Sequence, residues 1–321
     1  MRPLWRHSSE VIEMGAELGK YKSCVSARST NKEILKHAQD GGIVTQLFGF
    51  ALDEGIIDGA IVAATKEFAH KHPEKAMMDN SNMEFHEPWR PIPVIVTTKE
   101  DLIAAAGTKY NISPNVSLIK EATRSFGLDK VGIVGTPCQM QAIRKGQLYP
   151  VGLRDVGASI ALAVGIFCME NFPYQSILQL VEDHAGMKME AVKKMEIGKG
   201  KFWVYGKRGQ VVQLPLKVTH KYEQPGCHVC LDYVANVSDI STGSVGSPDG
   251  WSTVFVRSKI GDSVWAKAMA AGCFETQPIE KVKPGLELVS KLANEKITKN
   301  KATVEARKTF GVDKALRSPY I

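Results

Sequence analysis

Four of the chain's six cysteines stand at spacings that suit a metal centre. Cys227 and Cys230 form a C-x-x-C pair just after Pro225-Gly226, so a tight turn presents two thiolates to one side, where they can share one metal centre. Cys138 closes the run Gly135-Thr136-Pro137-Cys138 behind the apolar segment 131–134, and Cys168 directly follows the apolar run 160–167. If those runs are parallel neighbouring strands, both cysteines leave the sheet at its carboxyl edge, where α/β proteins place ligand sites. Four thiolates from three loops match the donor count of a [4Fe-4S] cluster. Spacing alone favours zinc, because C-x-x-C knuckles commonly hold it, and His220 and His228 are candidate further ligands. A zinc-bearing scaffold module therefore stays open, as does a thiol oxidoreductase using Cys227 and Cys230 alone. The pair does not open a helix after a strand, the context of a thioredoxin-type motif. Cys24 and Cys273 lack partner spacing and read as small buried hydrophobes.

Three further segments combine glycine, hydroxyl and amide groups in a way that suits a phosphate or a flavin ring. They are Asp40-Gly41-Gly42 with Thr45, Gly107-Thr108-Lys109-Tyr110 leading to Ser113 and Asn115, and Ser241-Thr242-Gly243-Ser244. Glycine lets backbone amides approach an anion, and a following helix adds the partial positive charge of its N-terminus. None matches a Rossmann or P-loop pattern, so each also reads as an ordinary turn. Lys199 and Lys201 flank Gly200 and suit either a pyrophosphate or a solvated hairpin.

The elements that would position these groups alternate between helix and strand. Residues 31–55 carry apolar positions at helical spacing interrupted by Gly41-Gly42, which predicts two helices meeting at a glycine turn. Buried strands are predicted at 60–64 and 92–97, and the polar segment 66–88 between them reads as a surface insertion and a loop. Residues 113–126 read as a helix capped by Ser113 with Pro114 in its first turn. Strands at 131–134 and 160–167 complete a partly parallel sheet flanked by helices. The second half has α+β character, with β-rich stretches at 202–205, 211–216 and 253–257, and helices near 262–271 and from 285 onward. The expected division is an N-terminal arm (1–24), one catalytic domain (25–284) and a helical C-terminal tail (285–321).

Composition sets outer limits. The chain has 44% hydrophobic and 23% charged residues, ordinary for a globular protein of 321 residues. No apolar run approaches the roughly 20 residues needed to span a bilayer, and the N-terminus lacks a signal-peptide h-region, so a cytoplasmic protein is expected. There the cysteines would be reduced, which favours metal or redox chemistry over disulfides. The net charge of +7 favours acidic ligands or partners, and much of it lies in 291–308, which also reads as a solvated amphipathic helix. No finger, helix-turn-helix or aromatic-interleaved basic motif points to nucleic acid.

Taken in order, the motifs SARST, AQDGGIVTQLFGFALDEGIIDGAIVA, AAGTKYNISPNV, GTPCQMQAIRK, VGIFCMENFPY, IGKGKFWVY and GCHVCLDYVANVSDISTGSVGSPDGWSTV resemble the coenzyme F420 hydrogenase beta subunit family. The likeness runs from about Ser26 to Gly311. It implies FAD and one [4Fe-4S] cluster held by Cys138, Cys168, Cys227 and Cys230, with the deazaflavin coenzyme F420 as substrate. It also implies FAD contacts from Asp40, Gly41, Gly42, Thr45, Gly107, Thr108, Lys109, Tyr110, Ser113, Asn115, Thr136, Lys199, Lys201, Ser241, Thr242, Gly243 and Ser244. Lys109, Lys199, Lys201 and Arg257 become candidates for holding phosphates of FAD or the acidic tail of coenzyme F420. For a hydrogenase member the implied partners are a [NiFe] large (alpha) subunit and an iron-sulfur small (gamma) subunit in a higher-order hetero-oligomer. A beta subunit of formate dehydrogenase is the competing assignment. Relatives in membrane F420H2 dehydrogenases and F420-dependent sulfite reductases carry extra ferredoxin-like cysteine runs, which this chain lacks.

Overall fold

The computed structural model describes residues 17–76, 87–148 and 157–309. Much of the expected N-terminal arm, the middle of the 66–88 insertion and the end of the tail lie outside them. Eleven strands are described: β1 (Ser23–Ser29), β2 (Gly59–Thr65), β3 (Pro91–Val96), β4 (Val131–Gly135), β5 (Ile160–Ile166), β6 (Val192–Gly198), β7 (Lys201–Gly206), β8 (Val211–Pro215), β9 (Ile240–Gly243), β10 (Ser252–Val256) and β11 (Phe274–Pro278). Eight of them form one sheet in the order β11-β1-β10-β9-β5-β4-β2-β3, and β6-β7-β8 form a second.

The centre of the large sheet is parallel, with β2 beside β4, β4 beside β5 and β5 beside β9. These strands read GAIVAAT, VGIVG and IALAVGI, near-continuous apolar runs of the kind that packing on both faces demands. Helices Ile43–Asp53 and Lys259–Ala270 cover one face around Leu47, Phe48, Val264 and Trp265. On the other face Ile119, Ile143 and Met140, from helices Ile119–Arg124 and Pro137–Leu148, pack on Ile133 and Ala163. β3 is an antiparallel edge strand, the position that tolerates its Pro91 and Pro93, which have no N–H to donate.

β6 and β7 are a hairpin whose turn, Lys199-Gly200, has φ of 54° and 74°. Two successive positive values are the geometry of a tight hairpin loop. The smaller sheet packs Met195, Phe202 and Val204 against helix Tyr174–Gln179 and the turns after it. The C-terminal helix Gly285–Thr309 returns to the large sheet, where Val289 and Ala293 join Tyr21, Tyr233 and Phe255 in a fourth apolar cluster.

Two local expectations change. Residues 66–88 do not run as a loop throughout, because helices Lys66–Lys71 and Pro73–Ala76 begin the segment, the first capped by Thr65, whose side chain accepts from Phe68 N. Ser113 does not cap a helix. Its hydroxyl donates to the Asn115 side-chain oxygen Oδ1 at 2.6 Å, while Asn115 Nδ2 donates to Val134 O at 2.8 Å. That tether draws residues Asn115–Leu118 into a 3-10 turn, and the α-helix starts only at Ile119.

Candidate functional site

β4 and β5 are adjacent and parallel with Gly135 opposite Gly165, so the residues that follow them, Thr136 to Cys138 and Cys168, share the carboxyl edge. Cys138 sits in the first turn of helix Pro137–Leu148 and is exposed. Its sulfur lies 3.2 Å from the Thr136 hydroxyl. Cys168 N donates to Tyr233 O at 2.9 Å, fixing the start of its loop. Cys227 lies in the 3-10 turn Pro225–Val229 and Cys230 ends it, with Cys230 N donating to Cys227 O at 3.2 Å.

The four thiols converge. Burial pushes Cys168 up, and the charges of Cys227, Cys230 and Cys138 push it further. Burial likewise raises Cys227 to about 11, with Cys230 and Cys138 adding to the rise, and Cys230 is raised by burial and by Cys138. Among the described residues no three of these sulfurs lie within 4.8 Å of one another. Four thiolates on one zinc, each about 2.3 Å from the ion, would stand roughly 3.8 Å apart. His220 and His228, the additional zinc candidates, face Glu223 instead, at 2.6 and 3.3 Å. Asn171 N donates to the Cys227 sulfur at 3.3 Å, a contact that favours the thiolate form.

The C-terminal helix braces the ring from behind. Lys296 Nζ donates to Cys168 O at 2.6 Å, and Asn300 Nδ2 donates to Cys227 O and Cys230 O at 2.8 and 2.7 Å. Lys299 Nζ holds Glu223 at 3.0 Å. Sequence reading treated this stretch as a solvated basic helix and missed Lys296 and Asn300. A signal was present: Val289, Ala293, Lys296 and Asn300 continue a single stripe at spacings of four, three and four, so two polar residues extend an apolar face.

The glycine and hydroxyl loops gather at the same carboxyl edge. β1 and β9 run in the same direction, both antiparallel to β10, so the turn after Ser29 and the loop after Gly243 share one side. Gly41 packs so closely on Ala27 O that a Cβ would stand 2.6 Å from it. Gly42 has φ of 68° and precedes helix Ile43–Asp53, which has no side-chain cap and no acidic residue in its first turn. Its free amides suit an anion. Strand alternation turns Thr242 toward the face that Ile240 shares with this helix, and the Thr242 hydroxyl is buried without a hydrogen-bond partner. An uncapped helix start and an orphaned hydroxyl on the same side of the sheet are groups that a flavin dinucleotide could engage. Asp40 is the exception in charge, and burial raises its carboxyl to about 6. Tyr110 anchors the smaller sheet over this edge by accepting from Ile197 N at 2.9 Å.

Several predicted contacts are already engaged. Lys109 Nζ donates to Ala63 O and Ala106 O at 3.0 and 3.1 Å, and also to Ala105 O, so its ammonium ties its own loop to β2. Arg257 Nε donates to the Ser241 hydroxyl at 2.8 Å, and its remaining nitrogens reach Leu18 O, Lys20 O and Val234 O. Both side chains serve the fold here and do not present free charge to a phosphate. Lys199 pairs with Asp249 at 3.0 Å and Lys201 with Gln213. Gln139 joins Thr136 to Ser113, accepting from Thr136 N and donating to Ser113 O. Gly107 has φ of 90° beside His37 O, Thr45 and Thr108 are half-buried, and Ser244 is exposed.

Comparison with known proteins places this architecture. Family models for the coenzyme F420 hydrogenase/dehydrogenase beta subunit match residues 24–120 with their N-terminal part and 128–282 with their C-terminal part. The chain belongs to that family. Within it, the coenzyme F420 hydrogenase subunit beta of Methanosarcina barkeri is 62% identical over 94% of this chain and 98% of its own length. The same subunit of Methanothermobacter thermautotrophicus is 53% identical over 94% and 99%. A chain of the xenon-derivatised F420-reducing [NiFe] hydrogenase complex of Methanosarcina barkeri superposes with a TM-score of 0.86 at 61% identity, covering 97% of this chain and all of that one. Among the described residues no helix is long and apolar enough to cross a membrane.

Proposed function

We propose that this chain is the beta subunit of a coenzyme F420-reducing hydrogenase. A [4Fe-4S] cluster held by Cys138, Cys168, Cys227 and Cys230 would accept single electrons released by H2 oxidation on [NiFe] and iron-sulfur partner subunits, and FAD held at the amides after Gly42 and at Thr242 would supply hydride to coenzyme F420. When bound, the flavin supplies the conversion between one-electron traffic and hydride transfer, which neither a cluster nor a deazaflavin performs alone. The chain's own residues position and insulate. Cys168, Cys227 and Cys230 hold the buried side of the ligand ring, while exposed Cys138 leaves its outer side open toward a partner. The amides after Gly42 and the Thr242 hydroxyl are the groups offered to FAD. The observation that carries the reading is the grouping of Cys138, Cys168, Cys227 and Cys230 in a chain 62% identical to a coenzyme F420 hydrogenase subunit beta.

The deciding measurement is the visible spectrum with iron, sulfide, zinc and flavin content of protein purified without oxygen. Brown protein holding iron, sulfide and FAD is expected. A colourless, iron-free sample that resists reconstitution, or one holding a single zinc and no flavin, would sink the reading. Co-purification from native cells identifies the donor, and recovery of a formate dehydrogenase subunit in place of a hydrogenase would reassign it.

A further inference from the structure

Lys296 lies in the C-terminal helix, 2% exposed, in a protein whose other lysines are mostly at the surface. Its ammonium bonds Cys168 O at 2.6 Å. Asn300, one turn on, holds both carbonyls of the C-x-x-C loop. A buried unpaired ammonium is costly, and among the described residues no carboxylate lies within ion-pair distance of this one.

We propose that Lys296 is the fixed positive charge that sets the reduction potential of the cluster. The inference rests on the cluster reading above. Four thiolates around an oxidised [4Fe-4S] core of charge 2+ carry a net charge of 2−, and uptake of one electron takes this to 3− with no bond made or broken. A cation held in a low-dielectric wall stabilises the more negative state more strongly, so it raises the potential and favours reduction. The C-terminal helix is then part of the redox site, delivering the charge through Lys296 and holding the ligand loop through Asn300.

The test is a dithionite titration of the full chain, purified without oxygen, with the reduced cluster read by electron paramagnetic resonance. Lys296→Gln and Lys296→Met should each weaken the one-electron reduction equilibrium at least tenfold, about 59 mV to lower potential, at unchanged iron and flavin content. Lys296→Arg keeps the charge and should stay near wild type. Lys291→Gln, which removes an exposed lysine paired with Glu295 on the same helix, should also leave the potential in place. An unchanged potential in iron-loaded Lys296→Gln and Lys296→Met overturns the proposal. So does loss of the cluster from both neutral variants, which would make Lys296 a structural brace. Wild-type protein without iron would instead fail the cluster reading itself.

Discussion

Replacing Arg257 with Met separates a structural tie from a phosphate grip. Arg257 is 8% exposed, and burial lowers its pKa to about 10, so it remains charged at neutral pH. It makes four hydrogen bonds of 2.8 to 3.2 Å, to Leu18 O, Lys20 O, Val234 O and Ser241 Oγ, and its guanidinium lies 4.8 Å over the Phe255 ring. Methionine keeps much of the aliphatic volume and removes every donor. Bonds to a charged donor contribute about 1.5–3 kcal/mol each, and stranded buried acceptors cost about 1–3 kcal/mol each. Relief of the guanidinium's own burial offsets part of that sum. A net loss of about 4 kcal/mol is expected, in the range found when a buried charged contact is broken, against a total stability of roughly 5–15 kcal/mol. At about 2 °C per kcal/mol for a chain of this size, the melting midpoint of the flavin-loaded protein should fall by about 8 °C. FAD affinity of the folded fraction, read by flavin fluorescence, should change little. A midpoint within 2 °C of wild type together with a tenfold loss of FAD affinity would refute the structural assignment and restore Arg257 as a ligand for phosphate.

Three more outcomes follow from the same geometry. Alanine at Cys138, Cys168, Cys227 or Cys230 should remove iron and the visible absorbance, whereas Cys24→Ala and Cys273→Ala should retain both; iron loss from either control would show that the ligand set is misassigned. Lys109→Met should destabilise the fold by about 2–4 kcal/mol, because Lys109 is the shared donor to three backbone carbonyls, and a neutral result in a denaturant titration would contradict that role. Asp40 is raised to about 6 by burial, so the folded state holds its proton more tightly than the unfolded chain does. Wild type therefore loses stability as pH rises from about 4 through about 6, roughly 3 kcal/mol at 1.36 kcal/mol per unit. Asp40→Asn should be more stable than wild type above pH 6, with the gain fading near pH 4, and a difference independent of pH would refute the burial argument.

The parallel centre of the sheet was legible because strands buried on both faces must be apolar throughout, as the runs at 131–134 and 160–167 are. That pairing also made the approach of Cys138 and Cys168 predictable before any coordinates. The rim was less legible. β1 reads SCVSARS and β11 reads FETQP, too polar to announce themselves, and they are strands because β10 supplies a template for β1, and β1 in turn for β11. The contacts of the lysines were illegible for a related reason: sequence reports the charge of Lys109 and Lys296 but not which backbone carbonyl each one meets.

The ligand ring draws on two kinds of support, which bears on how the site is assembled. Cys138 and Cys168 are set by the register of β4 against β5, and that register is locked by a core containing Ile133, Ala163, Met140 and Ile143. Cys227 lies in and Cys230 closes a short 3-10 turn outside the sheets, and the carbonyls of both are held by Asn300 from a helix 70 residues or more further along the chain. The second pair therefore depends on docking of the C-terminal helix, and that docking depends on Val289 and Ala293 filling the cluster with Tyr21, Tyr233 and Phe255. Shaving the apolar stripe of that helix, remote from any sulfur, should loosen the C-x-x-C loop while leaving the β4 and β5 ends in place. Val289→Ala would remove two methyl groups from a fully buried position, a loss of about 1–2 kcal/mol. Iron released by a chelator should then leave faster than from wild type, with no change in the far-ultraviolet circular dichroism of the sheet. Equal release rates would mean that the turn holds its shape without the helix.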